Sequence, residues 1–177
     1  MADAAFTALR TDRLVLRRFR PEDLDTFVAY RSDPEVARFQ SWQAPYPVQS
    51  AEALVHEMER RRLEQPGWTQ IGIELRATGQ LVGDVAFENR DASEAAVGYS
   101  LAPAHWGHGY ATEAVGAVVA HGLDALGFDV IVAEVVPENT ASIAVLTRLG
   151  FTREGPLPNG DDRWVRRRPP EAPRRTR

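Results

Sequence analysis

The sequence predicts a mixed α/β domain on the basis of three patterns. Residues 130–136 are almost entirely apolar, which is typical of a buried central strand. Val97, Tyr99 and Leu101 alternate with smaller or polar residues, which is typical of a strand with one buried face. A glycine turn then leads directly into an amphipathic helix whose valines fall on one stripe. At 177 residues, the chain has the length of a single domain.

The remaining elements follow from local signals along the chain. A first strand is expected at about 12–18, and Pro21 then opens a helix that ends near Asp33. An aromatic, proline-bounded loop at 39–47 precedes a second helix, which we expect Ser50 to cap. The other expected elements are, in chain order, a short turn at 35–39 before that loop, strands near 69–75 and 81–88, the strand ending at Leu101, the helix after the glycine turn, the strand at 130–136, a helix at 140–149 closed by Gly150, and a strand at 151–157.

Charge is distributed unevenly along the chain. Residues 163–177 hold seven arginines and one glutamate, which gives this segment a charge of +6. Because the whole chain has a net charge of −4, the remaining residues carry a net charge of −10. An acidic body favours cationic partners such as amines. We therefore predict a folded domain at 10–165 and an Arg/Pro-rich disordered tail at 166–177. Nucleic-acid binding is not expected, because the tail lacks interleaved aromatic residues.

Composition excludes several classes of protein. The chain has no cysteine, which excludes disulfides and thiolate metal sites, and no lysine, which excludes a standard P-loop. The four histidines form no recognisable metal-ligand motif, so no metal site is expected. Neither a long apolar run nor a signal-peptide pattern is present. These patterns predict a cytoplasmic protein with no membrane partner.

The glycine turn is the strongest functional signal. A strand, a glycine turn and a helix N-terminus together form a phosphate site, because the first helical N–H groups have no partner and the helix dipole is positive there. Thr112 occupies the third-glycine position of a dinucleotide fingerprint, which argues against a nicotinamide or flavin cofactor. A turn that merely connects strand to helix is the structural alternative. The candidate cofactor-binding residues of this turn are Trp106, Gly107, His108, Gly109, Tyr110, Ala111 and Thr112.

Three motifs carry a family resemblance. The segment 106–114 resembles the acetyl-CoA loop of the GNAT superfamily of N-acetyltransferases, with Gly109 and Ala111 at the matching Gly and Gly/Ala positions and Trp106 where Gln or Arg is usual. The segment from Asn139 to Gly155 is similar to the Asn-x-x-Ser, Leu-Gly-Phe and Glu-Gly signature of the branch that includes ribosomal-protein N-terminal acetyltransferases. A third match spans residues 11–17 and continues with Asp23 and residues 33–36.

The resemblance implies a fold, a cosubstrate and a reaction. The implied fold is the GNAT acyl-CoA N-acyltransferase fold, a mixed and mostly antiparallel sheet with helices on both faces. The implied reaction is direct transfer of an acetyl group from acetyl-CoA to a primary amine in a ternary complex. The acceptor is either a small cationic molecule or a protein N-terminus. A non-enzymatic acyl-CoA-binding module is the alternative, and a homodimer is left open.

The resemblance also assigns roles to residues. The strand end at Leu101 and Ala102 would pair with the pantetheine arm and offer an N–H to the thioester carbonyl. Asn139 would touch that arm or cap a helix, and both roles are compatible. Ser142 would protonate the leaving CoA thiolate; otherwise it is a small polar residue near a helix start.

The base and the acceptor site are less specified. Glu88 is the first candidate for the general base, Glu134 is the second because burial would raise its pKa, and Asp161 is the third. Each could equally be a surface carboxylate, with water accepting the proton. The candidate substrate-binding residues are Phe39, Gln40, Trp42 and Tyr99. The final strand of the family has a counterpart only at 163–166. Because this strand often forms one wall of the acceptor site, the residues of that wall are not assigned.

Overall fold

The computed structural model describes residues 8–170, in which eight strands form one sheet. The strands are β1 (Ala8–Arg10), β2 (Leu14–Arg17), β3 (Gly67–Leu75), β4 (Leu81–Asn89), β5 (Glu94–Leu101), β6 (Val130–Val135), β7 (Thr152–Pro156) and β8 (Asp162–Arg167). The helices are α1 (Leu24–Arg31), α2 (Pro34–Ala37), α3 (Val48–Met58), α4 (Tyr110–Ala120) and α5 (Thr140–Arg148). Short 3₁₀ turns at Pro21–Asp23 and Pro103–His105 precede α1 and α4.

The sheet is mixed and mostly antiparallel, as expected. Its spatial order is β1-β2-β3-β4-β5-β6-β8-β7, and β5 with β6 is the parallel pair among the described strands. Strand β6 lies inside the sheet between β5 and β8, which explains its apolar sequence.

Helices cover both faces of the sheet, which confirms the predicted fold class. Helix α4 buries its valine stripe, including Val115 and Val118, in the larger hydrophobic cluster with residues of β2 to β6. Helices α1 and α3 pack on the opposite face, where Phe27 and Val55 belong to a second cluster. The functional elements at the ends of β5 and β6 are therefore supported from two sides.

Two boundaries near the N-terminus differ from the prediction. The strand expected at 12–18 is present as β2 but begins at Leu14, because Thr11 N–H bonds to the Leu14 carbonyl at 3.0 Å and turns the chain there; β1 before this turn was not predicted. Helix α3 begins at Val48 with Pro47 at the N-cap, so the prediction that Ser50 caps it is wrong. Pro47 holds an extended conformation with φ −65° and ψ 130°, and the helix can begin directly after it.

The C-terminal boundary is also later than predicted. Strand β8 pairs with β6 along its whole length, with Arg167 opposite Val130 at one end and Asp162 opposite Val135 at the other. Arg166 and Arg167 therefore belong to the sheet and not to a tail. Beyond them, the backbone N–H of Arg168 donates to the Asp129 carbonyl at 2.8 Å. The rest of the predicted tail, residues 171–177, lies outside the described residues.

Through residues 8–170, every helix is too short or too polar to serve as a membrane span.

Candidate active site

Strands β5 and β6 separate and leave a wedge in the middle of the sheet. Their paired positions end at Ala96 and Val132, and the rest of the two strands diverges toward the glycine turn. Ala102 N–H donates to the Val82 carbonyl on β4, so by the alternation of the ladder the backbone groups of Tyr99 and Leu101 point to the opposite side, into the wedge. Strand β5 thus presents an edge on which an extended ligand can form backbone hydrogen bonds.

The glycine turn closes the open end of this wedge. Gly107 and Gly109 have φ of +75° and +78°, a left-handed conformation that favours glycine. Gly109 is the N-cap of α4, so the N–H groups of the first turn of the helix emerge beside it. A Cβ at Gly107 would meet no atom within 4 Å, which means that the backbone is open to a ligand. The turn has the geometry of an anion-binding loop.

Side chains of the turn mainly shape its backbone. The Trp106 indole N–H donates to the Leu101 carbonyl at 2.8 Å and folds the turn onto the end of β5. His108 Nδ1 lies 2.8 Å from the Trp106 carbonyl, and the His108 ring stacks on Tyr110 with a centroid distance of 5.5 Å. Ala111 packs against the core, and Thr112 lies in the first turn of α4. The sequence prediction of a ligand turn at 106–112 therefore corresponds to one continuous structural unit.

Ser142 and Tyr99 meet across the wedge. The Tyr99 hydroxyl lies 2.6 Å from Ser142 Oγ and 3.2 Å from the Ser142 carbonyl. Burial raises the pKa of Tyr99 to about 12, although the hydrogen bond to Ser142 acts in the opposite direction. Tyr99 is therefore a neutral O–H donor at physiological pH. Asn139 Oδ1 accepts from Ser142 N–H at 3.2 Å, so Asn139 caps α5 and holds Ser142 in the first turn.

Two candidate bases lie at the closed end of the wedge and share one guanidinium. Arg90 Nε is 2.6 Å from Glu88 Oε2, and Arg90 Nη2 is 2.8 Å from Glu134 Oε1. Burial lowers the pKa of Arg90, but the hydrogen bonds that it donates to Glu88 and then to Glu134 outweigh burial, so its pKa lies above the usual value. Glu134 is exposed, so the expectation that this carboxyl is buried is wrong. Its side chain is on the face of β6 opposite the buried Ala133 and Val135.

The third candidate base, Asp161, lies elsewhere. It belongs to the turn between β7 and β8, where Asn159 Nδ2 donates to Asp161 Oδ2 at 2.9 Å. The adjacent residue Asp162 pairs with Val135 at the open end of the wedge, away from Glu88.

Register assigns the acid and base candidates to opposite faces of the sheet. Glu88 lies opposite Ala96, and Ala96 lies opposite Val132, so Glu88 and Glu134 share one face. Tyr99 is three positions beyond Ala96 on β5 and lies on the other face, toward α5.

The loop between α2 and α3, at residues 38–47, covers the Glu88 face. Gln40 Nε2 donates to the Tyr99 carbonyl at 3.3 Å, so this loop reaches the edge of β5. Trp42, in contrast, contacts Arg31. Its indole N–H donates to the Arg31 carbonyl at 3.1 Å, and its ring packs on the Arg31 guanidinium, with 4.0 Å between Arg31 Cζ and the centroid of the Trp42 ring. Phe39 lies 4.9 Å from the Arg38 guanidinium carbon, measured to its ring centroid. Of these predicted substrate contacts, Gln40 is bonded to the wedge.

A buried ion pair supports the same face. Arg31 Nη2 lies 3.2 Å from Asp84 Oδ2, the Tyr30 hydroxyl donates to Asp84 Oδ1 at 2.6 Å, and all three side chains are buried. Burial and then Asp84 raise the pKa of Tyr30 well above its ordinary value. Trp42 and Tyr46 close over Arg31, so this pair anchors the 38–47 loop to the sheet.

The site has room for the two chemically distinct parts of CoA. The left-handed glycine turn fits a pyrophosphate, and the edge of β5 that faces the wedge fits the amide groups of a pantetheine arm, although its Tyr99 and Leu101 carbonyls already accept from Gln40 and Trp106. Among residues 8–170, no group of three or more His, Asp or Glu side chains is arranged to hold a metal ion.

Comparison with known proteins agrees with this geometry. Residues 13–152 match the family model described as an acetyltransferase (GNAT) domain. The chain is 34% identical over 154 residues to an uncharacterized N-acetyltransferase, YoaA of Bacillus subtilis. This alignment covers 86% of each of the two chains. The chain therefore belongs to the GNAT acetyltransferase family, and acetyl-CoA is its cosubstrate.

Solved structures show the same fold. A GNAT-family acetyltransferase from Bacillus anthracis aligns with a TM-score of 0.77 at 23% identity, covering 90% of this chain and 96% of that one. A spermidine N-acetyltransferase from Vibrio cholerae in complex with CoA and spermine aligns with a TM-score of 0.76 at 19% identity, covering 89% and 97%.

Sequence reasoning missed two arginines. Arg90 bridges the candidate bases, and Arg13 contacts the glycine turn through the His108 carbonyl at 2.9 Å. Arg13 lies within the 11–17 motif, which signalled the family but carried no assigned role. Each contact joins segments that are distant in sequence or assigned to different elements, so residue spacing alone gives no signal for it.

Proposed function

We propose that this enzyme transfers an acetyl group directly to a primary amine, with Ser142 as the proton donor to the leaving thiolate. The hydrogen bond between Ser142 Oγ and the Tyr99 hydroxyl, at 2.6 Å, carries this proposal. Tyr99 can donate to Ser142 Oγ and leave the serine proton free to be donated into the wedge. A reacting sulfur at the edge of β5 that faces the wedge would lie within reach of that proton.

Glu88 is the proposed base for the incoming amine. It lies at the closed end of the wedge, on the face that the 38–47 loop covers, whereas Ser142 approaches from the other face. Glu134 shares its guanidinium partner and is the matched control. We expect Glu88→Gln to lower kcat/KM more than Glu134→Gln does. Equal activities of the two variants would reject Glu88 and favour water as the acceptor of the proton.

The proposed acceptor is a small cationic amine or a protein N-terminus. The net charge of −10 outside residues 163–177 supports a cationic amine. The solved relative from Vibrio cholerae is a spermidine N-acetyltransferase bound to spermine, which makes polyamines a rational first panel. The Asn139 to Gly155 motif supports the ribosomal-protein branch and hence an N-terminus. A cytoplasmic location and a homodimer stay predictions.

The test is a panel of polyamines, other amines and peptides with acetyl-CoA, read by release of free thiol. Acetyl-CoA should also raise the melting temperature, because a ligand that binds the folded state stabilises it. Gly109→Val should abolish this protection, since a branched side chain would project into the turn. Gly79→Val is the matched control: its φ of +72° imposes similar strain, but Gly79 lies in the β3–β4 hairpin. Equal protection in both variants would reject the site.

A further inference from the structure

The segment before β2 is bonded to the first turn of the glycine-turn helix. Thr11 Oγ1 donates to Glu113 Oε1 at 2.5 Å, and the backbone N–H of Arg13 donates to the same oxygen at 2.9 Å. Arg13 Nε donates to Glu113 Oε2 at 2.7 Å. Glu113 is one turn inside α4, so a carboxylate at the proposed phosphate site is held by residues about one hundred positions earlier.

Arg13 also holds the turn itself. Its Nη1 donates to the His108 carbonyl at 2.9 Å, and its guanidinium carbon lies 4.7 Å from the centroid of the Tyr110 ring. A Cβ at Gly109 would lie 3.5 Å from Arg13 Nη2. The guanidinium therefore contacts His108 and Tyr110, the residues on either side of Gly109, which is the N-cap of α4.

The charge of Glu113 makes this contact necessary. Burial raises the pKa of Glu113, but hydrogen bonds from Thr11 and Arg13 together outweigh burial and hold the pKa below its usual value. An ionised carboxylate in the first turn of α4 would repel a pyrophosphate bound at the same helix end. A guanidinium paired with that carboxylate cancels most of the repulsion.

We propose that Arg13 is a positioning residue of the CoA site, which neutralises Glu113 and fixes the 108–110 backbone so that the turn binds the pyrophosphate. This inference rests on the proposed function, because it assumes that CoA binds at the glycine turn. It assigns a role to the 11–17 motif. The competing explanation is that Arg13 binds a phosphate directly, and the two explanations differ in how Glu113 affects an Arg13 variant.

The experiment measures CoA affinity by titration calorimetry for Arg13→Ala, Glu113→Gln and the double variant. We expect Arg13→Ala to weaken binding about tenfold, because it leaves Glu113 unpaired beside the ligand. The double variant should regain most of the affinity, and Glu113→Gln alone should bind at least as tightly as wild type. Arg20→Ala is the control: its side chain is 51% exposed against 49% for Arg13, and it is also paired with a carboxylate.

Salt provides a readout that packing alone would not change. The loss caused by Arg13→Ala should shrink at 1 M salt, where the Debye length falls to about 3 Å. Arg13→Lys keeps the charge but not the forked contact, so its CoA affinity should lie between those of wild type and Arg13→Ala. This variant replaces Arg13→Ala in the experiment if Arg13→Ala fails to fold.

Two results would overturn the proposal: Arg13→Ala binding CoA like wild type, or a double variant as weak as Arg13→Ala, which would mean direct phosphate contact. Wild type that binds CoA but acetylates no amine would contradict the proposed function and leave this binding test intact.

Discussion

Removing the Tyr99 hydroxyl tests the proposed proton path from Ser142. In Tyr99→Phe, Ser142 Oγ loses the partner that lies 2.6 Å away, while the ring that packs against the core is retained. The hydroxyl is protonated at neutral pH, because burial raises the pKa of Tyr99 to about 12. The variant therefore removes a donor and no charge.

The size of the effect follows from how this hydrogen bond changes during the reaction. It is neutral in the resting enzyme and worth about 1 kcal/mol, but it becomes charge-assisted as Ser142 gives up its proton, at about 1.5–3 kcal/mol. The difference of about 0.5–2 kcal/mol corresponds to a fall in kcat of about 2- to 30-fold. Acetyl-CoA affinity should stay nearly constant, since the bond strengthens mainly in the transition state.

The assay is thiol release with a good acceptor, measured for both single variants and the double variant. Ser142→Ala should lower kcat by about 10- to 1000-fold, and Tyr99→Phe should cause no further loss in that background. Tyr30→Phe removes another buried hydroxyl, bonded to Asp84, and should lower stability with kcat unchanged. A normal kcat for Tyr99→Phe, or the same loss in both backgrounds, would refute the assignment.

Other predictions concern stability, pH and the acceptor. Asp84→Asn should lower the free energy of unfolding by about 3–5 kcal/mol in urea titrations, because Arg31 would be a buried charge without its counterion; a loss below about 1 kcal/mol would contradict this. The folded pKa of Tyr99, about 12, exceeds the unfolded value of 10.0, so its contribution is full below pH 10 and is lost as pH rises through 12. Wild type should lose up to about 3 kcal/mol in that window, and Tyr99→Phe should avoid this loss. Raising salt from 0.1 to 1 M should lower kcat/KM for a cationic acceptor more than kcat; salt independence with a preference for acidic peptides would favour a protein N-terminus. Deleting 168–177 should cost about 1–3 kcal/mol through the lost bonds of Arg168 to Phe128 and Asp129, whereas deleting 171–177 should leave the melting temperature unchanged.

Local patterns predicted the elements that local physics controls. The apolar run at 130–136 became β6, and the glycine turn followed by α4 lies where its residues indicate. The strand expected at 12–18 was found as β2, but β1 was missed, because Thr11 turns the chain between the two strands while bonding to Glu113, 102 positions away. Ser50 satisfied a capping rule, but Pro47 begins the helix earlier.

The parts of the site that are contiguous in sequence were predictable, and the parts that depend on long-range packing were not. The phosphate turn is contiguous in sequence, so its residues could be named from spacing alone. The bond between Tyr99 and Ser142 spans 43 positions and depends on how β5 and α5 pack. The exposed state of Glu134 depends on which face of β6 is covered, and an almost wholly apolar strand gives no indication of that.

The arrangement of charged and polar groups around the wedge favours direct transfer over a covalent intermediate. Ser142 is held by Tyr99 and Asn139, neither of which is a base that could deprotonate it for nucleophilic attack. Glu88 lies on the other face of the sheet and is paired with Arg90. A serine without a base can give a proton more readily than it can attack a thioester. In the proposed reaction, Ser142 would donate its proton to the thiolate from the α5 side and the amine would enter from the side of the 38–47 loop, which requires both substrates to be bound at once.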